Sequence, residues 1–214
     1  DLDLSRQVNQ VSNRIRGLFT QIHPALEKVL GLRLEHDAIL EMLATWPTPE
    51  KLRKADRARI DAKLKKHGAR RHAAWTEEIL TALAKQTVTV TGTQAAGIVI
   101  PHLARQLIHL HAQRADVAQE VEEIVVHHPL YLVLTSMPGV GLRTAAVIIA
   151  ELSGKTFTSA AALASYAGLA PTTRQSGTSI KSERVSHSGN KRLKRALFLS
   201  AFAVIRTDPV SRAY

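Results

Sequence analysis

Residues 134–152 read LTSMPGVGLRTAAVIIAEL, and on this stretch the fold class turns. A Pro-Gly pair at Pro138-Gly139 interrupts two apolar segments, and Gly141 follows before an unbroken run from Thr144 to Ala150. Glycine has no Cβ, so the backbone turns sharply there and comes close to a neighbour. The run behind it is rich in Ala and Ile and has the length of a buried helix rather than a strand. The pattern predicts a helix-hairpin-helix. Its first exposed amides, after Gly139 and Gly141, face outward at a helix start and suit a phosphate. Such a contact positions a nucleic acid without reading its sequence. A plain turn between two helices gives the same pattern.

Upstream, residues 1–30 place Leu4, Val8, Val11, Ile15, Leu18 and Ile22 at alternating steps of four and three. That is a heptad seam, interrupted near Pro24 and stopped near Gly31. A second seam runs through Leu103, Leu107, Leu110, Arg114, Val117, Val121 and Ile124. Two such seams most simply pair, within the chain or across a dimer, and a homo-oligomer through the long helices is expected. Between them lies a basic stretch, residues 51–71, behind Thr48-Pro49-Glu50, a helix-start signal with Pro at the first helical position. A charge run is ordinarily a solvated face; here the sign is so one-sided that phosphate contact is an equal reading. Residues 86–100 include β-branched 87–91 and are read as an extended connector. Pro129 closes the second long helix. The expected organisation is all-α: long heptad-bearing helices with a basic insert over 1–129, then a compact helix-hairpin-helix domain over 130–214.

Composition agrees. The chain has 214 residues, 45% of them hydrophobic, and only 4% aromatic, which favours packed helices over a sheet. Its net charge of +11 points to nucleic acid, because each cation placed near a phosphate releases a condensed counterion. With no Cys there is no disulfide framework or thiolate zinc site, which fits a cytoplasmic protein. No apolar run approaches the ~20 residues of a membrane span. The sequence opens on Asp1 rather than Met and is read as part of a longer protein.

After the helix, SAAALASYAGLAP (159–171) gives way to a polar block with Arg174, Gln175, Ser176, Gly177 and Lys181. Then comes SHSGNKRLKRAL (186–197), where Ser188 or Asn190 can cap a last helix whose first turns carry Lys191, Arg192, Lys194 and Arg195. Four cations there oppose the helix dipole, so an anion is expected at the site, with phosphate the obvious candidate. The ordered blocks PGVG, TAAVIIAEL, LASYAGLAP, SG and GN-x-x-LKRAL resemble the C-terminal domain of the DEDD-type insertion-sequence transposases, the family that includes the pilin-gene invertase. The likeness spans about residues 130–205; upstream, Asn13-Arg14-Ile15-Arg16 and the long helix to His128 are similar to that family's linker, less specifically.

That resemblance implies a DNA transposase or site-specific recombinase with a composite active site. An N-terminal RuvC-like domain, absent from this sequence, carries four acids and binds Mg2+; no metal ligand is assigned here and no cofactor is expected on this chain. The domain present supplies a serine nucleophile from the block after AGLxP, which makes Ser176 the candidate, with Ser179, Ser182 and Ser186 behind it. Gly139, Gly141, Arg174, Lys181, Arg184, Lys191, Arg192, Lys194 and Arg195 are the expected nucleic-acid contacts. DNA is the expected partner, and the family's link to a structured RNA adds RNA. The chain by itself is expected to be inactive as a recombinase. The rival reading is a non-catalytic helix-hairpin-helix module that binds nucleic acid or dimerises and has no use for Ser176.

Overall fold

The computed structural model describes residues 2–176, 180–184 and 188–213. It is helical almost throughout, as expected, with a single two-stranded hairpin among the described residues. The chain forms two compact units, Asp1–Val117 and Ala118–Tyr214, and the division falls inside one long helix. The boundary expected near residue 129 follows the end of that same helix.

In the first unit, α1 (Leu2–Ile22) stops where Pro24 opens α2 (Pro24–Leu30). His23 caps α2, its Nδ1 accepting from the Leu26 amide at 3.1 Å. Helices α3 (Asp37–Thr45), α4 (Pro49–Lys54), α5 (Arg57–Lys66) and α6 (His72–Ala84) follow. Thr48 caps α4 and Pro49 is its first residue, the arrangement its sequence predicts. Gly68, at φ +83°, turns the chain between α5 and α6.

Helix α7 (Thr93–Val126) begins well inside the stretch read as an extended connector, so that reading holds only up to residue 92. The reason is tertiary. Ala96, Ile100, Leu103, Ala104, Leu107 and Leu110 form one helical stripe, and all six are buried. Burying that stripe outweighs the weak strand preference of Ile98, Val99 and Ile100 within its span. Gly97 lets the Thr48 methyl approach: a Cβ there would stand 2.6 Å from Thr48 Cγ2.

The stripe of α7 and the α1 seam enter one core together with residues of α2–α6. The apolar repeats of residues 4–22 and 103–110 are therefore the inner faces of a multi-helix unit. Further along α7 the seam leaves that core, and Ile124 is 72% exposed.

In the second unit, α8 (Tyr131–Thr135) leads through a tight turn into α9 (Leu142–Leu152). Then come α10 (Ala160–Tyr166), β1 (Thr172–Ser176), β2 (Ile180–Arg184), α11 (Lys191–Thr207) and α12 (Pro209–Arg212). Val140, Ala145, Ile148, Ala167 and Leu193 make the core, with α9 lying against α11. The strands pair antiparallel, Thr172 opposite Arg184 and Ser176 opposite Ile180. No strand is legible in this part of the sequence, because the segment is largely polar and lacks the alternation of a half-buried strand.

Candidate functional site

Met137-Pro138-Gly139-Val140 is a β-turn closed by the Val140 amide donating to the Met137 carbonyl at 3.1 Å. Pro at the second position and Gly139 at φ +75° at the third are the residues a type II turn demands. The two glycines of the motif have different duties. A Cβ on Gly139 would lie 2.3 Å from Val204 Cγ2 and 2.4 Å from the Ser200 carbonyl, so its bareness seats the turn against α11. Gly141 has open space around it and precedes α9 in an extended conformation. No side chain caps α9, and Arg143 in its first turn is exposed.

The polar block hangs from a tightly tied base. Helix α10 ends in a reverse turn at Gly168, φ +69°, with the Leu169 amide donating to the Ala164 carbonyl at 2.8 Å. The chain returns at Gly189, φ +93°, directly against it. A Cβ on Gly168 would stand 2.2 Å from the Ser188 carbonyl oxygen, and one on Gly189 2.5 Å from the Gly168 nitrogen. The Asn190 amide then donates to the Tyr166 carbonyl at 2.7 Å. The segments entering and leaving the hairpin are thereby in backbone contact.

Asn190 is the centre of this clasp. Its Oδ1 accepts from the amides of Arg192 and Leu193, both at 3.0 Å, and so caps α11. Its Nδ2 donates to Glu151 Oε2 at 2.6 Å and to Tyr166 Oη at 3.0 Å. Arg192 reaches the other Glu151 oxygen at 3.4 Å, and Lys194 Nζ donates to the Gly168 carbonyl at 2.9 Å. The Asn190 hydrogen bond first, then Arg192 and Lys155, hold the Glu151 carboxyl below the usual carboxylate range. Glu151 thus stands beside Arg192 at the start of α11, and the Asn190 side-chain carbonyl takes two of the helix's first amides.

Ser176 is the last residue of β1, and its Cα partner Ile180 is the first of β2. Arg174 pairs with Ser182 and Gln175 with Lys181, while Arg184 closes the other end opposite Thr172. The structure brings Ser176, Arg174, Lys181 and Ser182 onto one short hairpin. Ser179 and Ser186 lie outside the described residues. Of the α11 cations, Lys191, Arg192 and Arg195 are exposed; Arg192 also reaches Glu151, and the half-buried Lys194 donates to the Gly168 carbonyl. Reading the sequence missed Glu151 and Tyr166, and no local signal marks them. Among the described residues no three His, Asp or Glu side chains gather in a metal-binding group.

Residues 131–214 match the family described as Transposase IS116/IS110/IS902 family. An uncharacterized 43.6 kDa protein of insertion element IS110 from Streptomyces coelicolor is 49% identical over 215 residues, all of this chain and 53% of that protein. Over that C-terminal segment the chain is similar to the IS116/IS110/IS902-family transposases. An uncharacterized 42 kDa protein of IS900 from Mycobacterium paratuberculosis is 35% identical over 98% of the chain and 54% of its own length. The pilin gene-inverting protein of Moraxella bovis is 47% identical over 73 residues, 33% of the chain and 23% of that protein. The chain spans about half the length of the first two relatives. The transposase-family segment begins at the first residue of α8 and takes in the turn, the clasp and the hairpin. No described helix of the chain is long and apolar enough to cross a membrane.

Proposed function

We propose that the chain is part of a DNA transposase or site-specific recombinase, and that its second unit delivers Ser176 to the scissile phosphate. The observation that carries this reading is the hairpin clasped at its base within the transposase-family segment. A rigid support for a reactive side chain is what chemistry on a phosphodiester needs, since misplacement by about 1 Å costs on the order of 100-fold in rate. Ser176 Oγ attacks phosphorus, forming an Oγ–P bond as one bridging P–O bond breaks. The serine proton passes to a base, and the departing deoxyribose oxygen takes up a proton. The covalent link retains the phosphoester for rejoining.

A serine hydroxyl is a weak nucleophile until something helps remove its proton. In this reading Mg2+ and the activating groups belong to a further domain of the full-length protein, since the chain spans about half the length of the first two relatives. The uncapped amides of α9, with Arg143 and the exposed Lys191, contact the DNA backbone. Arg174, Lys181 and Arg184 neutralise charge near the hairpin, and structured RNA is the second polyanion of this surface. On this reading the 214-residue chain alone cleaves nothing.

The test uses the full-length protein, its neighbouring RNA, labelled element-end DNA and magnesium. An SDS-resistant protein–DNA adduct abolished by Ser176→Ala establishes the nucleophile. An adduct that survives moves the role to Ser182 or another serine of the block. Cleaved DNA with no adduct assigns the attack to water. Intact binding with neither result favours the non-catalytic helix-hairpin-helix module, a reading to which the packing of Gly139 on α11 lends weight.

A further inference from the structure

Residues 51–71 hold ten Lys and Arg side chains and two acids, Asp56 and Asp61. The rest of the first unit, residues 1–50 and 72–117, holds eight cations and ten acids. All of that unit's positive excess therefore sits in one short stretch. Neither acid of the stretch neutralises a cation within it. Asp56 Oδ1 accepts from the Arg59 amide and caps α5, and Asp61 is paired with His72 at 2.7 Å.

The fold sorts these cations. Ile60 and Leu64 are buried, and α5 packs against α3 and α6. Arg57 reaches across to Glu77 at 2.8 Å and Lys63 to Glu41 at 3.4 Å, so these two tie the flanks of α5 to its neighbours. Arg53 is engaged with the carbonyls of Leu83 and Gln86. On the outward stripe stand Ala58, Ala62, Lys65 and Lys66, all exposed, and Arg70 and Arg71 follow, exposed, beyond Gly68. None of Lys65, Lys66, Arg70 and Arg71 has an ion pair among the described residues. The dipole of α5 accounts for cations in its last turn. It does not account for Arg70 and Arg71, which lie past the helix end, where α6 starts with no side-chain cap and no acid in its first turn.

We propose that the outward face of α5 and the turn after it, with Lys65, Lys66, Arg70 and Arg71, form a docking surface for the sugar–phosphate backbone of duplex DNA. The proposal rests on the nucleic-acid reading above for its polyanion and is independent of Ser176. The small side chains of Ala58 and Ala62 let a backbone lie close. A single strand wants exposed aromatic rings for stacking. Here Arg33 covers Trp75 at 5.2 Å, and Arg59 covers Trp46 at 5.7 Å. A membrane surface wants large apolar side chains beside the cations. Among the described residues none is exposed between Leu32 and Val88. A one-signed face without exposed rings or apolar anchors fits the evenly charged duplex, held without regard to sequence.

The experiment is fluorescence-anisotropy titration of the 214-residue chain with a random DNA duplex of about 20 base pairs over a series of salt concentrations. Lys65, Lys66, Arg70 and Arg71 are changed together to Gln. A control removes the same charge elsewhere in the unit, with Arg6, Arg14, Lys28 and Arg105 changed to Gln. The slope of log K against log salt is expected to become shallower by about 0.9 for each phosphate no longer neutralised, roughly 3.6 for four. Affinity at roughly 100 mM salt is expected to fall by about tenfold or more, and the control to fall far less. A charge-keeping variant (Lys65→Arg, Lys66→Arg, Arg70→Lys, Arg71→Lys) retains the binding, and thermal unfolding confirms that each variant is folded. Equal weakening in the two neutralised variants, no DNA binding by the parent chain, or an effect seen with duplex RNA but not DNA overturns the proposal. A missing serine adduct in the recombination assay leaves this result untouched.

Discussion

At the residue scale, glycines separate packing from access. Gly189→Ala puts a methyl group against the Gly168 backbone at a left-handed φ of +93°. Backbone strain of this kind costs on the order of 1–3 kcal/mol before the collision is counted. Gly139→Ala meets Val204 and Ser200 in the same way. Gly141→Ala has open space and an ordinary φ of −91°, and is expected within about 0.5 kcal/mol of the parent. Urea unfolding of the three variants checks the order; a destabilised Gly141→Ala variant would contradict it. Asn190→Ala removes the cap of α11, worth about 1 kcal/mol, and strips Glu151 of its shortest hydrogen bond. Because Glu151 is held below its unfolded value, its contribution is present above the ordinary carboxylate range and disappears as pH falls through the folded value. Glu151→Gln is therefore expected to flatten the acid limb of the stability curve, read from unfolding midpoints on the acid side.

At the element scale, His23 decides how α1 passes into α2. Its ring is fully buried, with Nδ1 accepting from Leu26 and Nε2 lacking a partner among the described residues. Burial first, then the Arg53 charge, lowers its pKa from 6.5, against carbonyls that favour the protonated ring. The neutral form is the one that folds, so the unfolded chain binds more protons between the folded value and about 6.5. Stability is full above that window and falls as pH drops through it. Protonation also removes the lone pair that caps α2. His23→Asn keeps a capping oxygen without a titrating ring. Its unfolding midpoint is expected to change less between about pH 7.5 and 5 than the parent's, and an unchanged slope would refute the assignment. The same scale shows why the hairpin leaves no trace in the linear pattern. Apart from Ile180, strands β1 and β2 are polar, and the segments that enter and leave them are tied by the clasp of Gly168, Gly189 and Asn190.

At the scale of the whole molecule, the two units have separate cores, one drawn from α1–α7 and one around Val140, Ile148 and Leu193. Calorimetry is expected to resolve Gly189→Ala as a shift of one transition with the other unmoved. A single transition displaced as a whole would show the units to be thermodynamically one. The helical class, the Thr48-Pro49 start of α4, the Pro138-Gly139 turn, the choice of Ser188 or Asn190 as a cap and the concentration of cations at 51–71 were all legible in the linear sequence. These are local features, set by dihedral preference, capping and charge within a few residues. Three others emerge only in the folded chain: Glu151 meets Asn190 and Arg192 at the start of α11, the seam of α7 is buried in one half and exposed in the other, and a polar block becomes a clasped hairpin. Each joins residues tens of positions apart, and burial and hydrogen-bond satisfaction across such distances leave no periodicity for a linear reading to detect.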